Sequence, residues 1–246
     1  ASLPAPGAWN MAVDEVLHQW SAQTGRCCWR FYRWSEPTLS LGYFQEYEER
    51  LQHPASGRCA VVRRASGGGA ILHDAELTYS FVVPLTHRLA GQRRALYEAI
   101  HATLIELLGE LGLAAQLCGG RPRQQPAGQP FLCFQRRADG DVVVGDVKVA
   151  GSAQRRNAGA VLQHGSVLLS RSAAAPELAG LGELLGHGLE VAEFAQRWLS
   201  KIAASLELQW CEEPLRSAEL QRAEALVATK YAAELWIRHR GRPGPS

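Results

Sequence analysis

Three consecutive glycines, Gly67, Gly68 and Gly69, most constrain what this chain can fold into, because they interrupt a block of short β-like segments. Such a run is costly in backbone entropy. It suits a place where the backbone approaches a ligand closely or presents N–H groups to an anion. Arg63 and Arg64 precede the glycines and add positive potential. The alternative interpretation is a glycine-rich hairpin turn between two strands, since glycine is common in turns.

Short runs rich in β-branched and aromatic residues lie on both sides of the glycines and predict a sheet. The predicted strands cover 29–34, 38–42, 59–63, 70–73 and 77–83. Further along, 142–144 and 147–149 flank Gly145-Asp146, which is typical of a two-residue hairpin. Residues 158–169 predict another strand pair or one bent strand.

Helical periodicity marks four other segments. Asn10 is predicted to cap the first helix, so that Asp14 and Glu15 fall in its first turn, where the helix dipole favours negative charge. The apolar face of this helix consists of Val13, Val16, Leu17 and Trp20. The other helices are predicted over 93–111, over 191–206 and from 217 past 231.

Strands dominate the middle of the chain, while helices lie at both ends and in one central segment. This layout predicts an α+β fold with a mixed, mostly antiparallel sheet flanked by helices. Residues 119–130 hold three glycines, three prolines and no large apolar residue, which indicates an exposed loop. Because strands resume directly after it, we expect one domain over the 246 residues, 1–246.

Charge and composition exclude several classes of protein. Lys and Arg number 26 against 24 Asp and Glu, so the formal net charge of +2 argues against a nucleic-acid partner. No apolar run approaches the ~18 residues of a membrane-spanning helix, and the N-terminus lacks a secretion-signal pattern. The six cysteines form no C-x-x-C pair, so we expect no metal site. We therefore expect a cytoplasmic monomer with free thiols and no membrane partner.

Lys148 is one of only three lysines and lies in a strand-like run whose other positions are apolar. Most strand lysines lie on the outer face of an edge strand. Here the small residues Gly151, Ser152 and Ala153 follow, and they leave room beside the ammonium group. This favours a lysine that faces a pocket, where burial would shift it towards a general base.

Cys133 follows the predicted loop directly, between aromatic and aliphatic neighbours. A cysteine in such a setting is usually a small core hydrophobe, and catalysis would require an activated, accessible thiol. The vicinal pair Cys27-Cys28 has no partner motif and is interpreted as structural.

Two histidines, His73 and His164, lie in strand-like stretches without a metal-binding spacing. The favoured interpretation is a structural histidine at both positions. His73 stands next to Asp74 and is also a candidate to line a site.

Taken together, three segments resemble the lipoate–protein ligase and octanoyltransferase family, relatives of the biotin–protein ligases. They are RRASGGGAILHD at 63–74, KVAGSAQ at 148–154, and RWSEPTLSLG at 33–42, which is similar to the family pattern RW-x-x-P-x-x-S-x-G. The resemblance extends from NMAVD at 10–14 to Lys230-Tyr231.

The resemblance implies a domain of the class II synthetase and biotin–lipoate ligase type, with a tunnel for a medium-length acyl or lipoyl chain. The implied acceptor is a lipoyl-domain protein, such as the glycine cleavage H protein or an E2 subunit, which presents one lysine for amide formation. The chain ends soon after the helix around Lys230, so no C-terminal accessory domain is expected.

The stretch DAELTYS at 74–80 resembles the D-x-ELTYS of LipM-type octanoyltransferases, and Cys133 matches the place of their acyl-accepting cysteine. The resemblance therefore implies Cys133 and Lys148 as catalytic residues. The implied substrate-binding residues are Arg64, Ser66, Gly67, Gly68, Gly69, His73, Asp74, Gly151, Ser152 and Ala153. Gly69 instead matches the ATP-using ligases, which remain the alternative.

For a transferase, the implied donor is octanoyl–acyl carrier protein and no cofactor is required. Cys133 would form an octanoyl thioester, while Lys148 would favour the thiolate as a cation or accept a proton as a neutral amine. A ligase would need ATP and Mg²⁺ and would hold a lipoyl- or octanoyl-adenylate, leaving Cys133 a bystander. A third hypothesis is a non-catalytic subunit that only binds a lipoyl domain or an acyl group.

Overall fold

The computed structural model describes residues 3–119, 130–157 and 159–241. Apart from its two end residues, the predicted loop at 119–130 lies outside the described residues. The strands are β1 (Cys28–Tyr32), β2 (Thr38–Leu41), β3 (Ala60–Arg63), β4 (Ile71–His73), β5 (Glu76–Pro84), β6 (Ala115–Leu117), β7 (Val142–Val144), β8 (Val147–Asn157) and β9 (Ala160–Leu168).

The helices of the described residues are α1 (Gly7–Thr24), α2 (Arg93–Glu110), α3 (Leu181–Leu185), α4 (Val191–Leu206), α5 (Ser217–Leu226) and α6 (Glu234–His239). A π-helical turn, Val227–Tyr231, continues α5. Short 3₁₀ turns cover Tyr47–Gln52, Pro54–Ser56 and Cys133–Gln135. No helix in the described part of the chain combines the length and the apolarity needed to cross a bilayer.

A large sheet carries strands in the order β1-β5-β9-β8-β7-β6, and all its neighbouring strands pair antiparallel. The hairpin predicted around Gly145-Asp146 is confirmed, since β7 pairs with β8 across that turn. The interior strands β5 and β9 are buried along their whole length. Their near-continuous burial is expected for strands covered on both faces.

A smaller sheet has the order β3-β2-β4, with β2 parallel to β3 and antiparallel to β4. The glycine run connects β3 to β4, which lie on opposite sides of β2. The alternative of a simple glycine-rich hairpin turn is therefore wrong. The backbone at 67–69 has to cross the end of β2 instead.

Alternating residues of β5 face two different helical layers. Leu77, Tyr79 and Phe81 belong to one hydrophobic cluster with residues of α2, such as Leu104, and of α4, such as Trp198. On the opposite face, Val82 packs with Leu162 of β9 and with Leu17 of α1. The large sheet thus lies between α1 and the α2–α4 pair, as the predicted α+β class requires.

The first helix begins earlier than predicted. It starts at Gly7 with Pro6 before it, and no acidic residue lies in its first turn. Asn10 is therefore not the cap; its side-chain amide donates to the carbonyl oxygens of Ala5 (3.2 Å) and Arg33 (3.1 Å). Proline is well suited to a helix start because its fixed φ fits and its missing N–H is not needed there. Asp14 consequently sits in the helix interior, where it is buried.

Candidate active site

Cys133 is fixed against the end of the glycine segment. Leu132 forms a parallel bridge with Ala70, and the Cys133 N–H donates to the Ala70 carbonyl oxygen at 2.7 Å. Cys133 therefore begins a 3₁₀ turn, and the strand that follows the glycines sets the position of its thiol.

Lys148 reaches Cys133 from the interior of the large sheet. Its Nζ lies 3.5 Å from the Cys133 Sγ and 3.2 Å from the Cys133 carbonyl oxygen. β8 is paired on both sides, and Lys148 is buried, so it is not a surface lysine of an edge strand. Gly151 leaves the space that the lysine chain occupies: a Cβ there would lie 2.8 Å from Lys148 Cε.

A carboxylate that the sequence did not indicate completes this pair. Asp141 Oδ2 lies 2.8 Å from Lys148 Nζ, and both side chains are almost completely buried. The same Oδ2 accepts the N–H of Ala138 at 2.7 Å. For Lys148 to act as a neutral amine, this ion pair would have to be lost, leaving a carboxylate buried without its cation. The arrangement favours the cationic role that was expected for Lys148 over the neutral one.

Arg64 organises the glycine segment from inside. Its guanidinium donates to the Ser40 carbonyl and hydroxyl oxygens, and to the carbonyl oxygens of Gly67 and Gly69. Burial lowers the pKa of Arg64 to about 10. Gly68 has a φ of +94°, in the left-handed region that favours glycine. Arg64 thus binds the carbonyl side of the segment and stays a buried cation beside the cavity.

A cavity brings together most of the residues predicted for the site. The predicted residues that line it are Arg64, Gly67, Gly68, His73, Cys133, Gly151, Ser152 and Ala153. Residues that were not among the implied site residues add an apolar part and a polar part; they are Met11, Tyr32, Trp34, Ser40, Ile71, Thr78, Phe134, His164, Gly165 and Ser166. His164 belongs to this second group, so its interpretation as a purely structural histidine misses its place in the wall.

Four predicted residues lie behind the wall rather than in it. Lys148 contacts the wall residues Cys133 and Phe134 from behind, and Ser66 contacts His164. Gly69 uses its carbonyl oxygen to bind Arg64. Asp74 accepts a hydrogen bond from the Ser172 hydroxyl at 2.7 Å, which makes it a partner of the segment after β9 rather than a cavity residue.

His73 is both a structural histidine and a cavity residue. Its Nδ1 lies 2.5 Å from Glu76 Oε1, its Nε2 lies 2.9 Å from the Ser40 hydroxyl, and the Trp34 ring stacks on it. Burial lowers the pKa of His73, even though the neighbouring Glu76 carboxylate opposes this shift. A neutral His73 with both nitrogens engaged is a rigid part of the wall.

Ser152 is held by a chain of hydrogen bonds that runs into the core. Its hydroxyl lies 2.6 Å from the Tyr79 hydroxyl and 2.7 Å from His101 Nε2. His101 Nδ1 lies 2.6 Å from the Gly140 carbonyl oxygen, which can only accept. Burial lowers the pKa of His101, so a neutral ring donates to Gly140 and accepts from Ser152. The chain fixes the direction of the Ser152 hydroxyl.

The described residues contain no group of three or more His, Cys, Asp or Glu side chains placed to hold a metal ion. The side chains present offer the chemistry of a thiol beside a lysine–aspartate ion pair, with a buried arginine, in a partly apolar cavity. A thiolate is stabilised by a neighbouring cation and is the reactive form of cysteine.

A family model for the lipoyl protein ligase A/B catalytic domain matches residues 6–179. The chain is 32% identical over 259 residues to octanoyltransferase LipM from Brevibacillus brevis, which covers 93% of this chain and 94% of that protein. It is 35% identical over 261 residues to octanoyltransferase LipM from Symbiobacterium thermophilum, with 94% of each covered.

Solved structures confirm the predicted fold. A putative lipoate protein ligase from T. acidophilum with bound lipoic acid matches with a TM-score of 0.78 at 22% identity, covering 97% of this chain and 96% of that one. A lipoate-protein ligase A bound with ATP matches with a TM-score of 0.76 at 20% identity, covering 96% of each chain. At these identities the likeness shows the fold alone.

Proposed function

The chain belongs to the lipoyl protein ligase A/B catalytic domain family, and on that premise we propose that it is an octanoyltransferase of protein lipoylation. The relatives that it matches over nearly their whole length are octanoyltransferases. We propose octanoyl–acyl carrier protein as the donor and a lipoyl-domain lysine, of the glycine cleavage H protein or an E2 subunit, as the acceptor. The reaction needs no cofactor in this proposal. We propose a cytoplasmic location, where reducing conditions keep the Cys133 thiol free.

The first step is exchange of one thioester for another. The Cys133 thiolate attacks the octanoyl carbonyl carbon, a new C–S bond forms, and the carrier-protein thiolate leaves. Lys148 stabilises the Cys133 thiolate before the attack, because its ammonium lies 3.5 Å from Sγ. One thioester replaces another, so the step is close to neutral in free energy and requires no ATP.

The second step forms the amide. The lysine amine of the lipoyl domain attacks the octanoyl–Cys133 carbonyl carbon, a C–N bond forms, and the Cys133 thiolate leaves next to Lys148. Arg64 is a second buried cation, and unlike Lys148 it lines the cavity. Positive charge at this position stabilises the oxygen anion that develops in both steps. Each CH₂ of the octanoyl chain buried in the apolar part contributes roughly 0.8 kcal/mol.

The observation that carries this proposal is the contact between Cys133 Sγ and Lys148 Nζ at the edge of a cavity. It is tested by incubating the protein with octanoyl–acyl carrier protein in the absence of ATP. The expected result is an octanoyl mass increment on Cys133, followed by its transfer to an added lipoyl domain. Cys133→Ala should abolish both, while Cys211→Ala, at an exposed cysteine, should change neither. No increment, with full activity of Cys133→Ala, would refute the mechanism.

One observation favours a second candidate, the ATP-dependent lipoate–protein ligase. Among the described residues, Arg64 is a buried cavity cation that forms no ion pair with a carboxylate. Such a cation also suits the phosphate of an acyl-adenylate. In this case free lipoate or octanoate, ATP and Mg²⁺ would be required, and pyrophosphate would be released. Measuring product with each donor, with and without ATP, decides between the two.

A further inference from the structure

A segment that follows β9 packs against the chain around Cys133. Residues 172–178, which we call the anchoring segment, form two successive hydrogen-bonded turns. Ala175 of this segment is buried in one hydrophobic cluster with Phe131 and Leu132, the two residues that precede Cys133. The anchoring segment therefore supports the stretch that carries the thiol.

One carboxylate of the anchoring segment reaches the Cys133 turn itself. Glu177 Oε1 accepts the side-chain amide N–H of Gln135 at 2.9 Å, and Gln135 is the last residue of the 3₁₀ turn that Cys133 begins. The same oxygen lies 2.9 Å from Nε2 of His53, whose side chain is only 12% exposed. Because a carboxylate oxygen can only accept, both contacts are donated to Glu177. Glu177 thus joins the Cys133 turn to a second, separate turn of the chain.

The other end of the anchoring segment is fixed to Asp74, the residue that follows β4. The Ser172 hydroxyl donates to Asp74 Oδ2 at 2.7 Å and accepts the Ala174 N–H at 3.0 Å. Asp74 was predicted to bind substrate, but it does not line the cavity. Its contact with Ser172 gives it a different partner. The anchoring segment is therefore held at two points, one after β4 and one beside the thiol.

The position of the Cys133 turn decides how close the thiol lies to Lys148. On one side the turn is fixed by the Ala70 carbonyl oxygen, 2.7 Å from the Cys133 N–H, and by Lys148 Nζ, 3.2 Å from the Cys133 carbonyl oxygen. Sγ lies 3.5 Å from the same Nζ. The attraction between a thiolate and an ammonium weakens as their separation grows, and a misplacement of about 1 Å can cost roughly 100-fold in rate. A contact that limits movement of the turn on another side therefore acts on the thiol.

Resting on the proposed octanoyltransferase function, we infer that Glu177 is a positioning residue for Cys133 and that it acts through Gln135. Asp74 anchors the segment that carries Glu177, through Ser172. Neither carboxylate lines the cavity, so neither is assigned a contact with the acyl group. Their role is to hold the Cys133 turn against β4 and β8, where Sγ meets Lys148.

Two substitutions of Glu177 test this inference through acylation of Cys133 and through its alkylation by iodoacetamide. Glu177→Ala removes the acceptor for Gln135, whereas Glu177→Gln keeps an oxygen that accepts from both Gln135 and His53. We expect Glu177→Ala to slow both reactions at Cys133 by roughly 3- to 10-fold. Glu177→Gln should restore them to close to the wild-type rates. Wild-type rates in Glu177→Ala, or equal losses in the two variants, would overturn the inference.

The pH profile of alkylation separates position from charge and from stability. Loss of a negative charge alone would favour the thiolate and shift the profile to lower pH in both variants. Loss of position would shift it to higher pH in Glu177→Ala alone, because Sγ would move away from the Lys148 ammonium. A general loss of stability would change the urea midpoint but not the profile. We expect the shift to higher pH in Glu177→Ala; an unchanged profile or the opposite shift would contradict the positioning role.

A double variant and a matched control complete the test. In a Gln135→Ala background, Glu177→Ala should slow acylation no further, because the contact through which Glu177 acts is already lost. Glu110→Ala is the control: Glu110 is also an exposed carboxylate that joins two elements, since it pairs from α2 with Arg197 and Lys201 of α4. We expect this variant to keep the wild-type rates at Cys133. Further slowing in the double variant, or slowing in Glu110→Ala, would overturn the inference.

The two reagents keep this inference separable from the proposed function. If wild type forms no octanoyl–Cys133, the octanoyltransferase proposal fails, while the alkylation rates and profiles still measure the position of the thiol. Ser172→Ala extends the test to the other end of the anchoring segment. Loss of its bond to Asp74 should slow alkylation of Cys133 in the same direction as Glu177→Ala. A wild-type rate in Ser172→Ala would overturn the role assigned to Asp74.

Discussion

Lys148 and Asp141 form an ion pair of 2.8 Å whose side chains are 2% and 8% exposed. Lys148 lies in β8, and Asp141 directly precedes β7, the strand that pairs with β8. The hairpin at Gly145-Asp146 therefore does more than connect strands: it sets the carboxylate against the lysine that contacts Cys133. Stability of the fold and charge at the thiol depend on the same pair.

Asp141→Asn should destabilise the protein and slow acylation of Cys133. Removing one partner of a buried ion pair leaves the other charge uncompensated, which costs about 3–5 kcal/mol of unfolding free energy. Urea unfolding measures the first effect and the octanoyl mass increment on Cys133 the second. Asp146→Asn is the control, because Asp146 pairs with Arg137 at a side-chain exposure of 91%. Its effect should stay within about 0.5 kcal/mol. Equal effects of the two variants would contradict the prediction.

Gly151→Ala should impair the thiol chemistry more than the fold. The added Cβ would lie 3.0 Å from both Lys148 Nζ and Asp141 Oδ1, so the flexible lysine chain would have to move away from Cys133. We expect slower acylation of Cys133, measured in single turnover, with folding retained. Gly109→Ala in α2 is the control, because nothing lies within 4 Å of its added Cβ. That change should raise stability by roughly 0.5–1 kcal/mol and leave acylation unchanged. Full activity of Gly151→Ala would show that the lysine position is not critical.

Local patterns predicted most of the secondary structure of this chain. The strands around the glycines, the hairpin before Lys148 and the helix over 191–206 all occur, because period and turn chemistry are properties of short segments. The start of α1 was misplaced, since Asn10 looks like a cap but its amide binds Ala5 and Arg33 instead. The resemblance to known family motifs included the wall residues Arg64, Gly67 and Gly68 and the segment 151–153.

The partners of the site residues could not be predicted from local patterns. Asp14 and His164 are 150 positions apart and meet only because α1 packs against β9. Nothing in the local sequence marks Asp141 as a partner of Lys148, because their contact depends on the pairing of β7 with β8. Buried charges and hydrogen-bond chains depend on such tertiary contacts, and a single sequence carries no pattern for them.

Alkylation should distinguish Cys133 from the vicinal cysteines. Burial raises the pKa of Cys28, and the charge of Asp14 raises it further; burial also raises the pKa of Cys27. Both thiols should therefore react slowly with iodoacetamide, while Cys133 beside Lys148 and the exposed Cys211 react first. Peptide mass spectrometry over time measures the order. Octanoylation should protect Cys133 alone, and Lys148→Met should slow its labelling without affecting Cys211. Early labelling of Cys28 would contradict this assignment.

Unfolding free energy should fall as the solution is acidified from about pH 7 to about pH 5. Burial lowers the pKa values of His18, His73 and His101 in the folded protein. Below the ordinary histidine pKa the unfolded chain binds protons that the folded chain does not, so stability is complete above that value and is lost below it. Each such histidine contributes a slope of about 1.4 kcal/mol per pH unit until its folded pKa is reached. Urea unfolding across this range measures the slope.

His101→Gln should reduce the slope of stability with pH, because glutamine can replace the hydrogen bonds to Gly140 and Ser152 without titrating. A slope that His101→Gln does not change would mean that His101 is already protonated in the folded protein, and that the direction of the Ser152 hydroxyl is not fixed as described.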